Sequence, residues 1–298
     1  MEREILVEIG PFKEYEGIQA MSGDGYGIKF VSNGKIDTLK IKAHIEKSLA
    51  GAGNTAQIYI GNLSKETREA LNTPGMQVSV YTRTDDGDYN MAFFGGLSGA
   101  FTERFGTDLR TRLMCWSASS ALYKESASVS YTKDVPVKKA VVEIAQKIPG
   151  VVVDEKKINV EGKFGEGGWS YIGSVPQALT NLSIQYGFSW SIQDGVFQAI
   201  DDGTGEKTAI RLTPESGLIK VSPRFSGITQ VQVGVDIYSQ YVPGIKPGQI
   251  VSIESDLHSD KLNGEYKVHT LDFDLCPKET NEAWNMHVAF FFKEGTDG

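Results

Sequence analysis

The sequence predicts a mainly β protein with an α+β region in its middle. Apolar and polar residues alternate in the first and last thirds, whereas the middle third changes to a helical period. The chain has 33 glycines but only 10 prolines among 298 residues, which is typical of turns and bulges rather than of low complexity. With 40% hydrophobic residues, it is long enough for two domains of roughly 150 residues or one large all-β unit.

The first third is predicted to form half-buried strands. Between Ile36 and Ile45, every second residue from Leu39 onward is apolar, which is the period of a strand with one buried face. The same alternation occurs at 57–60, 76–81 and 109–116. Turn residues separate these stretches at 32–34, 74–75, 86–87 and 95–96. One short helix interrupts them from Ser64 to Leu71, with Ser64 as its N-cap.

The middle third contains two predicted helices and one hairpin. The first helix opens at Pro136 and stops at Pro149-Gly150, and its apolar face comprises Val137, Val141, Ile144, Ala145 and Ile148. The second runs from Ser174 to Tyr186, with Gly187 at the C′ position. Asp194-Gly195, between alternating apolar stretches, is the strongest hairpin signal in the chain. Residues 161–168 are polar and glycine-rich, which predicts a loop.

The last third returns to strand patterns. They fall at 208–212, 229–237, 249–254, 265–274 and 284–292. Pro247-Gly248 and Asn263-Gly264 separate some of them. We therefore divide the chain into an N-terminal β domain over 1–118, an α+β domain over 119–205 and a C-terminal β domain over 206–298. Either an insertion between two related β-units or two halves of one β layer would give this order.

Charge and cysteine content narrow the class of protein. The 30 basic and 38 acidic residues give a formal net charge of -8, which argues against non-specific phosphate binding as the main activity. Cys115 and Cys276 cannot form a disulfide framework or a four-cysteine zinc site, so we expect two free thiols in a reducing compartment. Since no apolar stretch suits a signal peptide or a membrane helix, we expect a soluble protein folded in a cytoplasm.

No catalytic or metal-binding pattern is present in the sequence. Asp85-Asp86-Gly87-Asp88 lacks the spacing of an EF-hand loop and reads as a hairpin tip, with weak calcium binding as the alternative. The four histidines include no His-x-x-x-His pair, and there is no Gly-x-Ser-x-Gly elbow. We predict no catalytic residue, no metal site and no cofactor. A glycosidase needs only two suitably spaced carboxylates, so that alternative stays open.

Three consecutive aromatic residues lie near the C-terminus. Phe290, Phe291 and Phe292 send their side chains to both faces of a strand, because the side-chain period is two. Either the rest of the chain or another subunit must therefore cover both faces. We favour a subunit interface at these three residues.

Several stretches, taken in order, resemble one family. They are 58–71, 113–117, 177–182, 187–190, 194–195, 212–219, 244–255, 263–268 and Trp284. In this order they are similar to bacteriophage tail baseplate hub proteins, which are related to the type VI secretion spike base. The resemblance spans most of the chain. No single motif establishes it; the evidence is that all the stretches follow one another in the order found in the family. Residues 220–225 depart from the pattern, since they lack a small Gly-Ser-Pro turn.

The resemblance implies a fold, an assembly and a set of partners. It implies two β-barrel domains similar to tail-tube subunits, together with an α+β module. It also implies a homotrimeric ring that adapts a sixfold tail tube to a threefold central spike and lets DNA pass without specific binding. The implied partners are the tail tube or tube-initiator protein, the spike and other baseplate proteins, with no membrane. The implied location is the virion tail, assembled in the host cytoplasm.

A second hypothesis comes from a different class of protein. Scattered carboxylates and aromatic residues would suit a soluble β-rich glycan-binding module or a carboxylate-dependent glycoside hydrolase. The two hypotheses make different predictions. A hub should form a ring-like trimer, whereas a hydrolase should lose activity on replacement of a single Asp or Glu while its fold persists.

Overall fold

A computed structural model describes residues 2–10, 12–15, 18–21, 27–35, 37–51, 53–117, 124–225, 232–256, 262–278 and 284–291. These residues form twenty strands and three helices. The helices are α1 Lys65–Ala70, α2 Val137–Ala145 and α3 Val175–Tyr186. The strands are β1 Arg3–Gly10, β2 Phe12–Tyr15, β3 Ile18–Met21, β4 Ile28–Ser32, β5 Ile41–Ser48, β6 Thr55–Gly61, β7 Gln77–Thr84, β8 Asn90–Phe105, β9 Asp108–Trp116, β10 Ser126–Tyr131, β11 Val152–Asn159, β12 Trp169–Ser174, β13 Phe188–Gln193, β14 Val196–Asp201, β15 Glu206–Leu212, β16 Leu218–Phe225, β17 Gln232–Gln240, β18 Gln249–Ile253, β19 Gly264–Leu275 and β20 Trp284–Phe291.

The two β-rich ends of the chain meet in one 13-stranded sheet. Its main path runs β16-β17-β20-β19-β5-β6-β9-β8-β7-β1-β4, and β18 joins it through β19 while carrying β15. The junction between the two ends is the antiparallel pair β5–β19, from Ser48 opposite Thr270 to Ala43 opposite Leu275. The predicted mainly β fold with an α+β middle is confirmed. Of the two arrangements that the order of the strand patterns allowed, the structure has two halves of one β layer.

The apolar face predicted for the first third forms part of a core shared by both ends. Ile41, Ala43 and Ile45 are fully buried, while Lys42 and His44 between them are half-buried. Their cluster continues into the last third through Leu271 and Phe273 of β19. One contiguous core thus lies beneath the joined sheet, because adjacent strands place their alternate side chains on the same face.

The middle of the chain forms a separate α+β module with its own core. Helices α2 and α3 pack with the pair β10–β12 and with the three strands β11-β14-β13. Both predicted helices are confirmed, and Gly187 ends α3 in the left-handed region, at φ 66°. Asp194 and Gly195 both have positive φ, 52° and 83°, as a type I′ hairpin turn requires.

One predicted turn is wrong. Gly95 and Gly96 lie inside the 16-residue strand β8 rather than between two strands. A Cβ atom at Gly95 would lie 2.4 Å from the carbonyl oxygen of Trp116 on the neighbouring strand. Glycine is therefore needed here for close backbone approach, which is its other use within strands. Strands β1, β2, β3, β8, β10, β11, β12 and β16 were absent from the predicted strands.

The three-domain division stays a prediction. Its first boundary, after residue 118, lies outside the described residues. The separate core of the α+β module agrees with a distinct middle unit.

Candidate interaction surfaces

The three phenylalanines predicted at a subunit interface lie on or just beyond the last strand. Phe290 is fully buried in the core of the chain, with its ring centroid 5.8 Å from that of Tyr266. The sequence left open whether this ring is covered by its own chain or by another subunit, and the structure shows that its own chain covers it. The backbone of Phe291 is opposite Gly234 and Lys267, and Phe292 lies outside the described residues. An interface role for Phe291 and Phe292 stays a prediction.

The hairpin β8–β9 has a free edge along the second half of β8. Strand β8 pairs with β7 from Asn90 to Gly96 and with β9 from Gly96 to Phe105, while β9 continues the sheet through β6. Residues 101–105 are all exposed, so both faces of the tip meet solvent. Phe101 and Phe105 expose 55% and 68% of their surface. Large apolar side chains in such a position contribute little to the fold of the chain itself, and aromatic side chains are enriched at interfaces.

The guanidinium groups of two arginines lie over the aromatic rings of this hairpin. The guanidinium carbon of Arg110 lies 5.1 Å from the ring centroid of Phe105 and 5.0 Å from that of Tyr59 on β6. Its Nε atom also donates to Glu103 at 3.0 Å. Arg112 lies over Phe101 at 5.8 Å. These distances are within the range of cation–π attraction.

The register aligns four of these side chains in one row across the sheet. Phe101 is opposite Arg112, Arg112 is opposite Tyr59, and Tyr59 is opposite Lys42. We call Phe101, Arg112, Tyr59 and Lys42 the aromatic–cationic row. Among the described residues, neither Arg112 nor Lys42 pairs with a carboxylate. The row therefore presents two positive charges that alternate with two aromatic rings.

The same sheet face is acidic on the strands from the C-terminal third. His44 Nδ1 lies 3.1 Å from Asp274, and His287 Nδ1 lies 3.2 Å from Asp272. The hydrogen bond with Asp272 raises the pKa of His287, against a smaller lowering by burial. Burial lowers the pKa of His44, but hydrogen bonds to Glu46 and Asp274 outweigh it, so that this pKa is raised as well.

A buried polar contact fastens the α+β module to the sheet. Lys47 Nζ of β5 lies 2.7 Å from Asp194 Oδ1 in the hairpin turn, and both side chains are almost completely buried. Lys246 reaches the other carboxylate oxygen at 3.1 Å. Burial lowers the pKa of Lys47, whereas the charge of Asp194 acts in the opposite direction. Beside this pair, Asn54 donates to Gln193 at 2.8 Å.

The acidic turn Asp85–Asp88 connects β7 to β8, as the sequence predicted. Its residues are exposed, and Asp85 Oδ1 accepts a 2.6 Å hydrogen bond from the backbone N–H of Glu2. Within the described ranges, no group of three or more His, Cys, Asp or Glu side chains is arranged to hold a metal ion. No helix in the same part of the chain is long and apolar enough to cross a membrane.

Sequence reasoning missed two features that the fold creates: the exposed aromatic hairpin β8–β9 and the buried pair of Lys47 with Asp194. Phe101 and Phe105 are four positions apart with Glu103 between them on the same face, so residues 101–105 lack the alternation that predicts a strand, and reading Gly95-Gly96 as a turn further obscured β8. The partnership of Lys47 with Asp194 joins residues 147 positions apart. No local pattern reports such a contact.

Comparison with known proteins identifies the fold. No protein-family model and no curated protein matches the sequence. Three solved structures are similar along most of the chain. They are the tail protein from Neisseria meningitidis MC58 (TM-score 0.63, 13% identity, covering 97% of this chain and 96% of that one), the 43 kDa tail protein of prophage MuSo2 from Shewanella oneidensis (0.63, 9%, 99% and 98%) and the E. coli c3393 protein (0.62, 9%, 88% and 76%).

The last of these is a component of the type VI secretion system that is structurally similar to the T4 bacteriophage tail proteins gp27 and gp5. The resemblance inferred from sequence is thus confirmed at the level of fold. The chain has the architecture of phage tail proteins and of their type VI secretion counterparts.

Proposed function

We propose that the chain is the structural hub of a phage tail baseplate, which forms a homotrimeric ring between a sixfold tail tube and a threefold spike. The observation that carries the proposal is the fold, which matches that of tail proteins over nearly the whole length of this chain and of each tail protein. A joined sheet contributed by both ends of the chain suits this role, since each copy would bring two β-rich units to the ring.

Open strand edges support assembly into a ring. Strands β16 and β4 end the main path of the sheet, and within the described residues each has a strand partner on one side only. Unpaired strand edges favour pairing with another chain. Subunits would pair edge to edge through these strands. Contacts between copies made by side chains alone would contradict this part of the proposal.

Charge is consistent with a passage for DNA. Three copies, each with a formal net charge of -8, would together carry about -24, and such a ring repels nucleic acid rather than trapping it. The tail tube or tube-initiator protein, the spike and other baseplate proteins would be its partners, and the virion tail its location. In this role the chain needs no catalytic residue and no cofactor.

The experiment that tests the proposal is the solution mass of the purified chain over a concentration series, measured by light scattering after size exclusion. We expect a species of about three times 32.6 kDa that appears as a ring in negative-stain images. A strict monomer at every concentration would contradict self-assembly and favour the glycan-binding or hydrolase alternative. A screen of glycan substrates, with single Asp and Glu replacements, would then follow.

A further inference from the structure

Strand β8 carries two oppositely charged features at its two ends. At its start lies the acidic turn, whose residues 85–88 include three aspartates and no basic residue. Toward its other end, Phe101 belongs to the aromatic–cationic row. A strand rises about 3.3 Å per residue, so roughly 35 Å separate Phe101 from the start of β8. The turn of one copy is therefore too far away to contact the row of the same copy.

The aromatic–cationic row has the composition of a protein-binding surface. Arginine and tyrosine are over-represented among the residues that dominate interface energies. The guanidinium of Arg112 is already positioned over the ring of Phe101, so less side-chain entropy is lost when a partner binds. Lys42 and Arg112 each lack a carboxylate partner among the described residues. An acidic segment of a partner molecule would supply carboxylates for these two side chains.

The nearest carboxylates on the hairpin do not neutralise the row. Glu103 forms its ion pair with Arg110, whose hydrogen bond and charge lower the pKa of Glu103 most, and the charge of Arg112 adds a smaller lowering. Asp108 accepts a hydrogen bond from the side chain of Asn62 at 3.2 Å. The positive charges of the row are thus available to a second molecule.

The acidic turn is complementary to the row in charge. A Thr84 carbonyl accepts from the Gly87 N–H at 3.2 Å, which closes the turn. Asp85 is anchored by Glu2, whereas Asp86 and Asp88 are exposed at the tip. The turn is narrow, ordered and negative, as a segment that inserts between aromatic and basic side chains should be.

We propose that the acidic turn of one copy docks on the aromatic–cationic row of a second copy, so that copies associate head to tail. Because the two patches differ, the contact is heterologous, and successive contacts of this kind close into a ring when the rotation between copies allows it. The proposal rests on the trimeric ring proposed above and names the surfaces that guide its assembly. It adds a charge-dependent side-chain contact to the edge pairing of the strands.

The test is a charge swap between copies. One variant carries K42E and R112E, and the other carries D86K and D88K. We expect each variant alone to need at least about tenfold more protein than the wild type to form trimers. A third variant that carries all four substitutions should recover trimer formation, because an acidic row then faces a basic turn at each of the three contacts. Light scattering after size exclusion gives the mass, and circular dichroism confirms that each variant is folded.

Controls separate this contact from the hub function itself. K156E, on an exposed lysine of the α+β module, should assemble like the wild type. Raising sodium chloride should weaken wild-type association. If both charge variants assemble like the wild type, the docking contact is wrong while the hub proposal stands. If the wild type stays monomeric at every concentration, both fail.

A second experiment tests whether the aromatic–cationic row binds nucleic acid instead of a second copy of the chain. Fluorescence anisotropy with a labelled 30-base-pair DNA duplex should show no difference between the wild type and the K42E/R112E variant. Tight binding by the wild type that the variant loses, with self-association unchanged, would overturn the proposal and assign the row to DNA.

Discussion

The two halves of strand β8 have the same backbone conformation but opposite environments. In the first half, Phe93 is fully buried beneath the sheet. In the second half, Phe101 and Phe105 are more than half exposed. The first half pairs with β7 from Asn90 to Gly96, whereas the second pairs with β9 from Gly96 to Phe105. The comparison teaches that one strand can serve the fold at one end and remain available to a partner at the other.

The largest expected effect comes from truncating a phenylalanine in the buried half. Phe93→Ala should lower the free energy of unfolding by about 3–5 kcal/mol, because it removes a buried ring and leaves a cavity. Phe105→Ala should change it by less than about 0.5 kcal/mol, since its ring is already largely in solvent. Urea denaturation of both variants measures the difference. Equal losses would contradict the division of β8 into two halves.

Charge pairs provide the same contrast between buried and exposed sites. Asp194→Asn leaves the buried ammonium of Lys47 without a full counter-charge, so we expect a loss of about 3 kcal/mol. Glu103→Gln breaks the exposed pair with Arg110 and should cost less than about 1 kcal/mol. Thermal and urea unfolding of the two variants compare them. A small loss in Asp194→Asn would mean that the module docks mainly through apolar contacts.

Neighbouring glycines within β8 test why that strand stays continuous. Gly95→Ala would place a Cβ atom 2.4 Å from the Trp116 carbonyl oxygen, so the pairing of β8 with β9 must shift at a cost of about 1–3 kcal/mol. Gly96→Ala is the matched control, because its Cβ would lie 4.0 Å from the same oxygen. Equal unfolding midpoints for the two variants would argue against close approach as the reason for Gly95.

The smallest expected effect is a pH dependence on the acidic face of the sheet. The pKa of His287 is raised by its hydrogen bond with Asp272, so the protonated imidazole stabilises the folded state. This contribution is complete below the unfolded pKa of about 6.5 and is lost as the pH rises through the higher folded pKa. His287→Gln should therefore flatten the dependence of the melting temperature on pH between about 6 and 8. An unchanged slope would contradict this.

Local chemistry allowed several elements to be predicted residue by residue. Ser64 caps α1 by accepting from the Thr67 N–H at 3.2 Å, as a serine at that position predicts. The turn at Asp194-Gly195 and the end of α3 at Gly187 follow from the backbone conformations that these residues favour. Each depends on contacts within a few positions of the chain.

Gly95-Gly96 shows where such reasoning fails. The same residue type serves turns and close strand contacts, and only the neighbouring strand distinguishes them. Phe290 shows a related ambiguity. A run of aromatic residues predicts that both faces of the strand are buried, but it does not predict whether the same chain or another subunit buries them. The aromatic–cationic row was also beyond reach, since neighbours in the row are 11 to 53 positions apart in the sequence and meet only through the strand register.

By itself the sequence determined the three helices, many of the strands, several of the turns and the class of architecture that they build. These properties follow from side-chain periodicity and backbone preference, which act over a few residues. Only the tertiary structure decided that β5 pairs with β19 across more than 220 positions, that Asp194 meets Lys47, and that the second half of β8 forms a free edge of the sheet. Those features depend on which strands become neighbours, and that choice is made by the burial of the whole apolar core rather than by any single segment.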